Sequence, residues 1–305
     1  MSSSPTPAES ATWHIDLKIS VREPFDWSQS LRFIRDFPST RDEQVVDDTG
    51  LVKAWRFADQ TVVSRIQSAD DGGALGVELA SPAEITDAVS AAAVDRISFY
   101  LSADDDLREF DQTARRDPAF APIAARLRGY HQVKFPSPVE NVVWSILSQR
   151  NPMKVAREAK IRLMRRLNEP VEAFGSTLLP CPSIEQLATL SEAELAELVR
   201  NERKAKYLFG SVARLAEIDE SFLRHADYRE VSEALLTFPG IGPWSATFVL
   251  IRGLGRMEVL PRDGEILRAA QNAYGRSLSE EDLVILSAPY APNQGYWAHY
   301  LRAGQ

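Results

Sequence analysis

Leu235–Arg268 reads LLTFPGIGPWSATFVLIRGLGRMEVLPRDGEILR, and its punctuation decides how this half of the chain folds. Val231–Phe238 carries apolar residues at helical spacing, with Ser232 and Glu233 on the other side. Pro239 cannot continue that helix, and Gly240 and Gly242 are expected to take the positive φ values of a tight reversal. Pro243 suits the first turn of a second helix, where its missing N–H has no partner to lose. The backbone N–H groups left at this helix start form a small anion nest, suited to a phosphate and blind to base sequence. A loop then brings Asp263 to the N-cap position of a third helix, GEILRAAQNAYG. The positive end of the helix dipole favours an anion there. A carboxylate so placed can cap the helix and can also stabilise a developing cation or activate a water. Taken alone, PGIG also fits a corner that binds nothing, and Asp263 a plain cap.

Together, Pro239, Gly240, Ile241, Gly242 and Asp263, with Arg268 five residues on, resemble the helix-hairpin-helix and Gly/Pro…Asp signature of base-excision DNA glycosylases. Phe135–Gln149 (FPSPVENVVWSILSQ) resembles that family's first core helix, which ends in a glutamine facing DNA. Cys181–Leu187 (CPSIEQL) and Arg203–Leu208 (RKAKYL) resemble later landmarks, so the resemblance covers roughly residues 130–300. Bifunctional members carry a lysine two residues after the second hairpin glycine, where it forms a Schiff base with the sugar. Trp244 stands there instead. An indole is no amine nucleophile, so the resemblance implies a monofunctional enzyme without lyase activity. It is closest to the 3-methyladenine DNA glycosylase II group, which implies excision of alkylated purines (3-methyladenine and 7-methylguanine types) from double-stranded DNA, with Asp263 as the catalytic carboxylate.

The same resemblance supplies the remaining expectations. A purine alkylated at N3 or N7 is positively charged and already a good leaving group, so aromatic faces and one carboxylate can suffice for it. The nucleotide must first be flipped out of the duplex. The candidate pocket aromatics are Trp244, Phe248 one turn later, Tyr290 and Tyr296. Phe248 falls where relatives often carry tyrosine, and Asn293 near a position where the best-known pattern has tryptophan. Gln149, Arg150 and Asn151 fall where the family places its wedge and gap-filling residues, and Gln149 and Arg150 join Pro239–Gly242 as the expected DNA contacts. The carbonyls of Leu236, Phe238 and Ile241 are candidates to hold a structural sodium or potassium ion. No other cofactor is expected, and the chain is expected to act as a monomer. Two other readings stay open at this point: a glycosylase for oxidised or deaminated bases, and a non-catalytic helix-hairpin-helix DNA-binding protein.

Composition constrains these readings. The net charge of the 305 residues is −8, which argues against bulk electrostatic attachment to DNA. Residues 150–166 run the other way, with seven basic side chains and one acidic. Most of that run reads as the solvated face of a helix whose less polar positions include Val155, Ala159, Ile161 and Leu163. Arg150 and Lys154 are the best placed for DNA. Cys181 is the only cysteine, which excludes an internal disulfide and a cysteine-ligated zinc or iron–sulfur centre, and the four histidines form no ligand pattern. No apolar run reaches about 18 residues, and MSSSPTPAESAT lacks the basic and apolar regions of a signal peptide. The expected setting is the cytoplasmic nucleoid of a prokaryote or the nucleus of a eukaryote.

The N-terminal third changes periodicity. Trp13, Ile15, Leu17, Ile19 and Val21 alternate with polar residues, as in a half-buried strand. Asp26–Gln29 opens a helix through Phe37. Leu51–Phe57, Thr61–Gln67 and Leu75–Leu79 read as further strands, with turns at Ala58–Asp59 and Asp70–Gly73. Ser81-Pro82-Ala83-Glu84 reads as a capping box starting a helix to about Leu101, a device repeated at Ser137–Glu140 and Ser191–Glu194. The expected layout is a disordered tail over 1–12 and an α+β antiparallel-sheet domain over 13–115. An all-α helix-hairpin-helix domain of two subdomains follows over 116–305. The family resemblance adds that the sheet domain is TATA-binding-protein-like.

Overall fold

A computed structural model describes residues 9–37, 39–40, 43–57, 59–69 and 73–305. In chain order its strands are β1 (Glu9–Ser10), β2 (Trp13–Ser20), β3 (Gln44–Val46), β4 (Gly50–Phe57), β5 (Gln60–Ser68), β6 (Ala74–Ser81), β7 (Val171–Ala173) and β8 (Ser176–Leu178). The first helices are α1 (Trp27–Asp36), α2 (Asp87–Leu101), α3 (Arg108–Ala114), α4 (Ala121–Arg126), α5 (Pro138–Ser148), α6 (Met153–Leu167), α7 (Ile184–Ala188) and α8 (Glu192–Val199). They continue with α9 (Glu202–Ala216), α10 (Glu220–His225), α11 (Tyr228–Leu236), α12 (Pro243–Phe248), α13 (Gly264–Tyr274), α14 (Glu280–Ser287) and α15 (Gln294–Ala303). An α+β antiparallel sheet followed by a helical domain is the expected class.

Five strands pair in the order β2-β6-β5-β4-β3, every pair antiparallel. Ile15, Leu17 and Ile19 of β2 pack toward one core, with the alternation the sequence shows, whereas Trp13 at the strand's start is 47% exposed. One face of the sheet buries Leu51, Trp55, Val62, Ile66 and Val77 against Leu31 and Ile34 of α1 and Ile97 and Tyr100 of α2. Each fully buried aliphatic or aromatic side chain of this kind stabilises by about 1.5–3 kcal/mol. The opposite face does not meet solvent alone. Ala54, Val63 and Ala80 pack on Val171, Ala173 and Leu178 of the β7–β8 hairpin. The second half of the chain is therefore not purely helical, and part of it covers the sheet.

Several expected boundaries move. Glu9 and Ser10 fall in the stretch expected to be a disordered tail, yet they pair in parallel with Val171 and Glu172. Residues 1–8, Ala58 and Asp70–Gly72 lie outside the described residues, so the turns expected there are seen only through the flanking pairs Phe57↔Gln60 and Ser68↔Leu75. The expected helix at Ser81 begins later, at Asp87, because Ser81 ends β6 and its hydroxyl donates to the Thr61 carbonyl at 2.8 Å. Thr86 supplies the N-cap instead, accepting from Val89 N. The break expected after residue 115 is no change of core either. Phe110, Ala114 and Phe120 pack with Tyr290, Trp297 and Tyr300, so α3 already belongs with the C-terminal helices.

A buried ion-pair cluster joins the two halves. Lys160 of α6 lies 2.7 Å from the carboxylates of both Glu43 and Glu140, and all three side chains are almost fully buried. Thus the capping box at Ser137 is only half formed: Ser137 Oγ accepts from Glu140 N, but the Glu140 carboxylate is committed to Lys160. Among the described residues no helix is long and apolar enough to cross a membrane.

Candidate active site and hairpin

The hairpin between α11 and α12 is built as its residues dictate, with one exception. Gly240 has φ +80°, and a Cβ there would sit 2.4 Å from the Tyr207 ring of α9. Only glycine fits. Gly242, by contrast, has φ −94° and ψ −179°, ordinary extended backbone at the N-cap of α12. The expectation of positive φ is wrong for Gly242. A Cβ at that position would meet nothing within 4 Å, so the missing side chain leaves the helix start uncovered.

The hairpin is braced from within. Ser211 Oγ donates to the Pro239 carbonyl at 3.0 Å, and Gln149 Nε2 donates to the Gly240 carbonyl at 2.7 Å. Those two carbonyls are bonded inward, while among the described residues the N–H groups of Gly240 and Gly242 take no backbone partner. Gln149 is thus committed to positioning the hairpin as well as standing near it. Arg150, next in the chain, is exposed and holds φ +52°. The carbonyl of Phe238 accepts from Ile241 N at 3.0 Å, leaving one lone pair for any cation.

After α12 the helix widens. Val249–Gly253 is a π-helical turn in which Leu254 N reaches back to the Val249 carbonyl. Such turns mark functional sites more often than chance, and this one places Ile251 and Arg252 beside a cavity of about 720 Å³. Trp244, Thr247 and Phe248 of α12 form one wall, and Val259–Asp263 the facing loop. Gly295, Ala298, His299 and Arg302 of α15 close another side, and Gln132 and Arg252 lie at the floor. This volume is in the range of small-molecule sites.

The cavity brings together three of the residues singled out from the sequence. Trp244 is 61% exposed and stacks on Phe248 with centroids 5.5 Å apart and an interplanar angle of 7°. The pair presents one continuous aromatic wall, not a slot between two rings. Asp263 caps α13 through Oδ1, which accepts from Glu265 N at 3.0 Å and Ile266 N at 2.9 Å. Its Oδ2 accepts from Arg302 Nη2 at 2.6 Å, and Arg302 Nε also reaches Glu265 at 3.1 Å. Cap and cavity residue are the same group.

Tyr290 and Tyr296 do not belong to this pocket. Tyr290 is buried and its hydroxyl donates to Asp117 at 3.1 Å. Tyr296 is buried too, its hydroxyl donating to the Asp105 carboxylate and accepting from Gln132 N. Helix α15 turns that face, with Trp297 and Tyr300, into the core, and presents the opposite stripe to the cavity. Gly295, Ala298, His299 and Arg302 recur at helical spacing, a signal that was readable but carries no aromatic to attract notice. Asn293 does not line the cavity either. Arg268 turns back to the Gly264 carbonyl at 3.2 Å.

Along the basic run Lys160 is buried and Arg162 donates to the Leu198 carbonyl at 2.5 Å, while Arg150, Lys154, Arg165 and Arg166 are exposed, Arg166 pairing with Glu194. The buried face differs from the expected one: Ala156, Ala159, Leu163 and Met164 are inside, and Val155 is out.

The comparisons with known proteins agree with this architecture. Residues 143–284 match the family described as HhH-GPD superfamily base excision DNA repair protein. A DNA-3-methyladenine glycosylase of Bacillus subtilis is 26% identical over 209 residues, which cover 66% of this chain and 68% of that protein. An N-glycosylase/DNA lyase OGG1 of Arabidopsis thaliana is 27% identical over 57% of this chain and 49% of its own length. Among solved structures, a 3-methyladenine DNA glycosylase from Archaeoglobus fulgidus superposes with TM-score 0.73 over 95% of this chain and 97% of that one, at 21% identity. The sheet, the helical half, the hairpin and the capped aspartate thus stand beside one similarity: residues 143–284 match the HhH-GPD superfamily of base excision DNA repair proteins, and the fold is that of a DNA glycosylase structure.

Proposed function

We propose that this protein is a monofunctional DNA glycosylase that flips damaged purines, alkylated ones in particular, out of double-stranded DNA and hydrolyses their N-glycosidic bond. One observation carries the reading. Asp263, Trp244 and Phe248 line a single cavity that also reaches Pro243 of the hairpin, in which the Gly240 and Gly242 N–H groups take no backbone partner among the described residues. The electron pair of the C1′–N bond leaves with the base, which neutralises a cationic alkylated purine. The Asp263 carboxylate stabilises the positive sugar that remains, and a water adds to C1′ and passes its proton to that carboxylate and on to solvent. Trp244 cannot form a Schiff base, so no lyase step follows.

The hairpin residues Pro239–Gly242 would grip a phosphate, with Arg150 at the gap left by the flipped nucleotide and Gln149 holding the hairpin in register. The Leu236, Phe238 and Ile241 carbonyls are proposed to take a sodium or potassium ion that rigidifies this grip, as a monomer on chromosomal DNA. The similarity to the Arabidopsis N-glycosylase/DNA lyase keeps a second reading, a glycosylase for oxidised or deaminated bases, beside this one.

The test is release of base from duplexes carrying 3-methyladenine, 7-methylguanine, hypoxanthine or 8-oxoguanine. Release from none of them sinks the enzyme reading and leaves a DNA-binding module. Asp263→Asn keeps the cap through its amide oxygen and should abolish release while retaining DNA binding. Borohydride should trap no covalent protein–DNA adduct.

A further inference from the structure

The floor of the cavity carries polar groups that the proposed chemistry leaves unused. Gln132 is fully buried, and neither its amide oxygen nor its amide nitrogen has a hydrogen-bond partner among the described residues. Arg252 is 7% exposed, and its Nη2 is likewise without a partner. No carboxylate pairs with it among the described residues. Its guanidinium lies instead over two rings of α1, with Cζ 4.7 Å from the Phe33 centroid and 5.1 Å from that of Phe37. Burial pulls its pKa down to about 10, still well on the charged side of neutrality. An unpaired buried donor is costly, about 1–3 kcal/mol and more for a charged group, so both residues are poised for an acceptor from outside.

The other charges of the cavity do not neutralise Arg252. Asp263 and Glu265 both belong to Arg302, which bridges them. Arg262 adds a further positive group to the lining. A purely cationic base entering this pocket gains from the Trp244–Phe248 wall but faces an unpaired guanidinium at its far end.

The two floor groups differ in what they can discriminate. An amide offers one donor set and one acceptor, so Gln132 can pair with the edge of a 6-amino or a 6-oxo purine by turning over. A guanidinium offers donors only, which suits the exocyclic 6-oxo oxygen, with N7 beside it where that nitrogen is unsubstituted, and opposes an amino group. Resting on the glycosylase reading above, we propose that Gln132 and Arg252 form an edge-reading floor that selects purines bearing a 6-oxo group, of the guanine and hypoxanthine type, over 6-aminopurines. Arg252 discriminates; Gln132 supplies affinity to both.

Two measurements separate this proposal from the enzyme reading beneath it. The first is binding of free hypoxanthine and free adenine, followed by quenching of tryptophan fluorescence, since Trp244 is exposed in the cavity wall. The wild-type protein should favour hypoxanthine by about tenfold or more, as one good bidentate contact provides. Arg252→Met should bring the ratio close to one, and Gln132→Leu should weaken both bases together with the ratio kept. A wild-type preference under about threefold, or one that survives Arg252→Met, overturns the proposal; the wild-type ratio decides even if Arg252→Met does not fold. The second is single-turnover release of 7-methylguanine against 3-methyladenine from duplex DNA, where the ratio should fall in Arg252→Met. Release of neither by the wild type refutes the alkylated-purine reading alone, because the free-base ratio still judges the floor.

Discussion

Arg302 Nη2 lies 2.6 Å from Asp263 Oδ2, across 39 residues of sequence, and its Nε reaches Glu265 at 3.1 Å. One guanidinium therefore fixes the oxygen of Asp263 that the helix cap does not. The pair is partly exposed, so its removal should cost no more than about 1 kcal/mol of stability. Its effect on chemistry should be larger, because a carboxylate free to rotate loses the geometry that catalysis needs. Arg302→Ala is expected to lower single-turnover base release roughly tenfold or more with Tm almost unchanged. Arg302→Lys should recover only part of that, since an ammonium cannot span both acids as a planar fork does. Full activity in Arg302→Ala, measured with excess enzyme, would show that Asp263 needs no such restraint.

The two hairpin glycines should separate under the same substitution. Gly240→Ala places a methyl group at φ +80° against the Tyr207 ring, where the left-handed backbone alone costs about 1–2 kcal/mol. Its Tm should fall by about 4 °C or more. Gly242→Ala meets nothing and adopts an ordinary conformation, so its Tm should stay within about 1 °C of wild type. Its duplex affinity should nevertheless fall, because the added methyl group stands over the N–H groups at the helix start. Equal Tm values for the two variants would contradict the backbone assignment.

Lys160 makes a prediction about pH. Burial pushes the Glu43 carboxyl up despite Lys160, while in Glu140 the pull of Lys160 and Lys53 outweighs burial and holds the carboxyl down. Lys160→Met removes the shared cation and leaves two carboxylates facing each other in the interior, which should destabilise by about 3–5 kcal/mol at pH 7. Without that cation both carboxyls are raised. A raised carboxyl contributes stability below its ordinary value of 4.5 and loses it as pH climbs through the folded value. The Tm deficit of Lys160→Met against wild type should therefore narrow as pH falls from 7 toward 5. A deficit that is constant or widens over that range argues against the cluster.

How much of this was legible in the sequence depends on whether the cause was local. The β2 alternation, the Asp26 and Ser191 caps and the Pro239–Gly240 turn are set by residues a few positions apart, and they stand in the structure where the sequence places them. Asp263 and Trp244 were legible for the same reason. Ser81 failed because long-range pairing keeps it in β6: it pairs with Trp13, its hydroxyl donates to the Thr61 carbonyl, and its oxygen accepts from Ala83 N rather than from Glu84 N. Tyr296 failed because residue type does not say which face of α15 turns inward, and Tyr290, in the turn before that helix, because its hydroxyl is drawn to Asp117 far away in sequence. Arg252 and Gln132 carry no local signature, one waiting on a π-turn and one on being left unpaired, while Arg302 is readable only as part of a stripe on α15 and its hold on Asp263 waits on a contact 39 residues away.

His299 gives the last test. It lines the cavity on the α15 stripe, with Tyr130 and Phe33 beside its ring, and burial together with Arg252 and Arg302 pushes its pKa well below 6.5. Its imidazole is thus neutral in the folded protein, and the unfolded chain takes up the proton first as pH drops. For a histidine depressed in this way the stability contribution is complete above the unfolded value and is lost as pH falls below 6.5, by about 1.4 kcal/mol per pH unit until the folded value is reached. Wild-type Tm should therefore fall between pH 7 and pH 5.5, and His299→Gln, which cannot ionise, should flatten that slope. Parallel Tm profiles for the two proteins would mean that His299 takes up a proton in the folded chain as readily as in the unfolded one, against the depression by burial, Arg252 and Arg302.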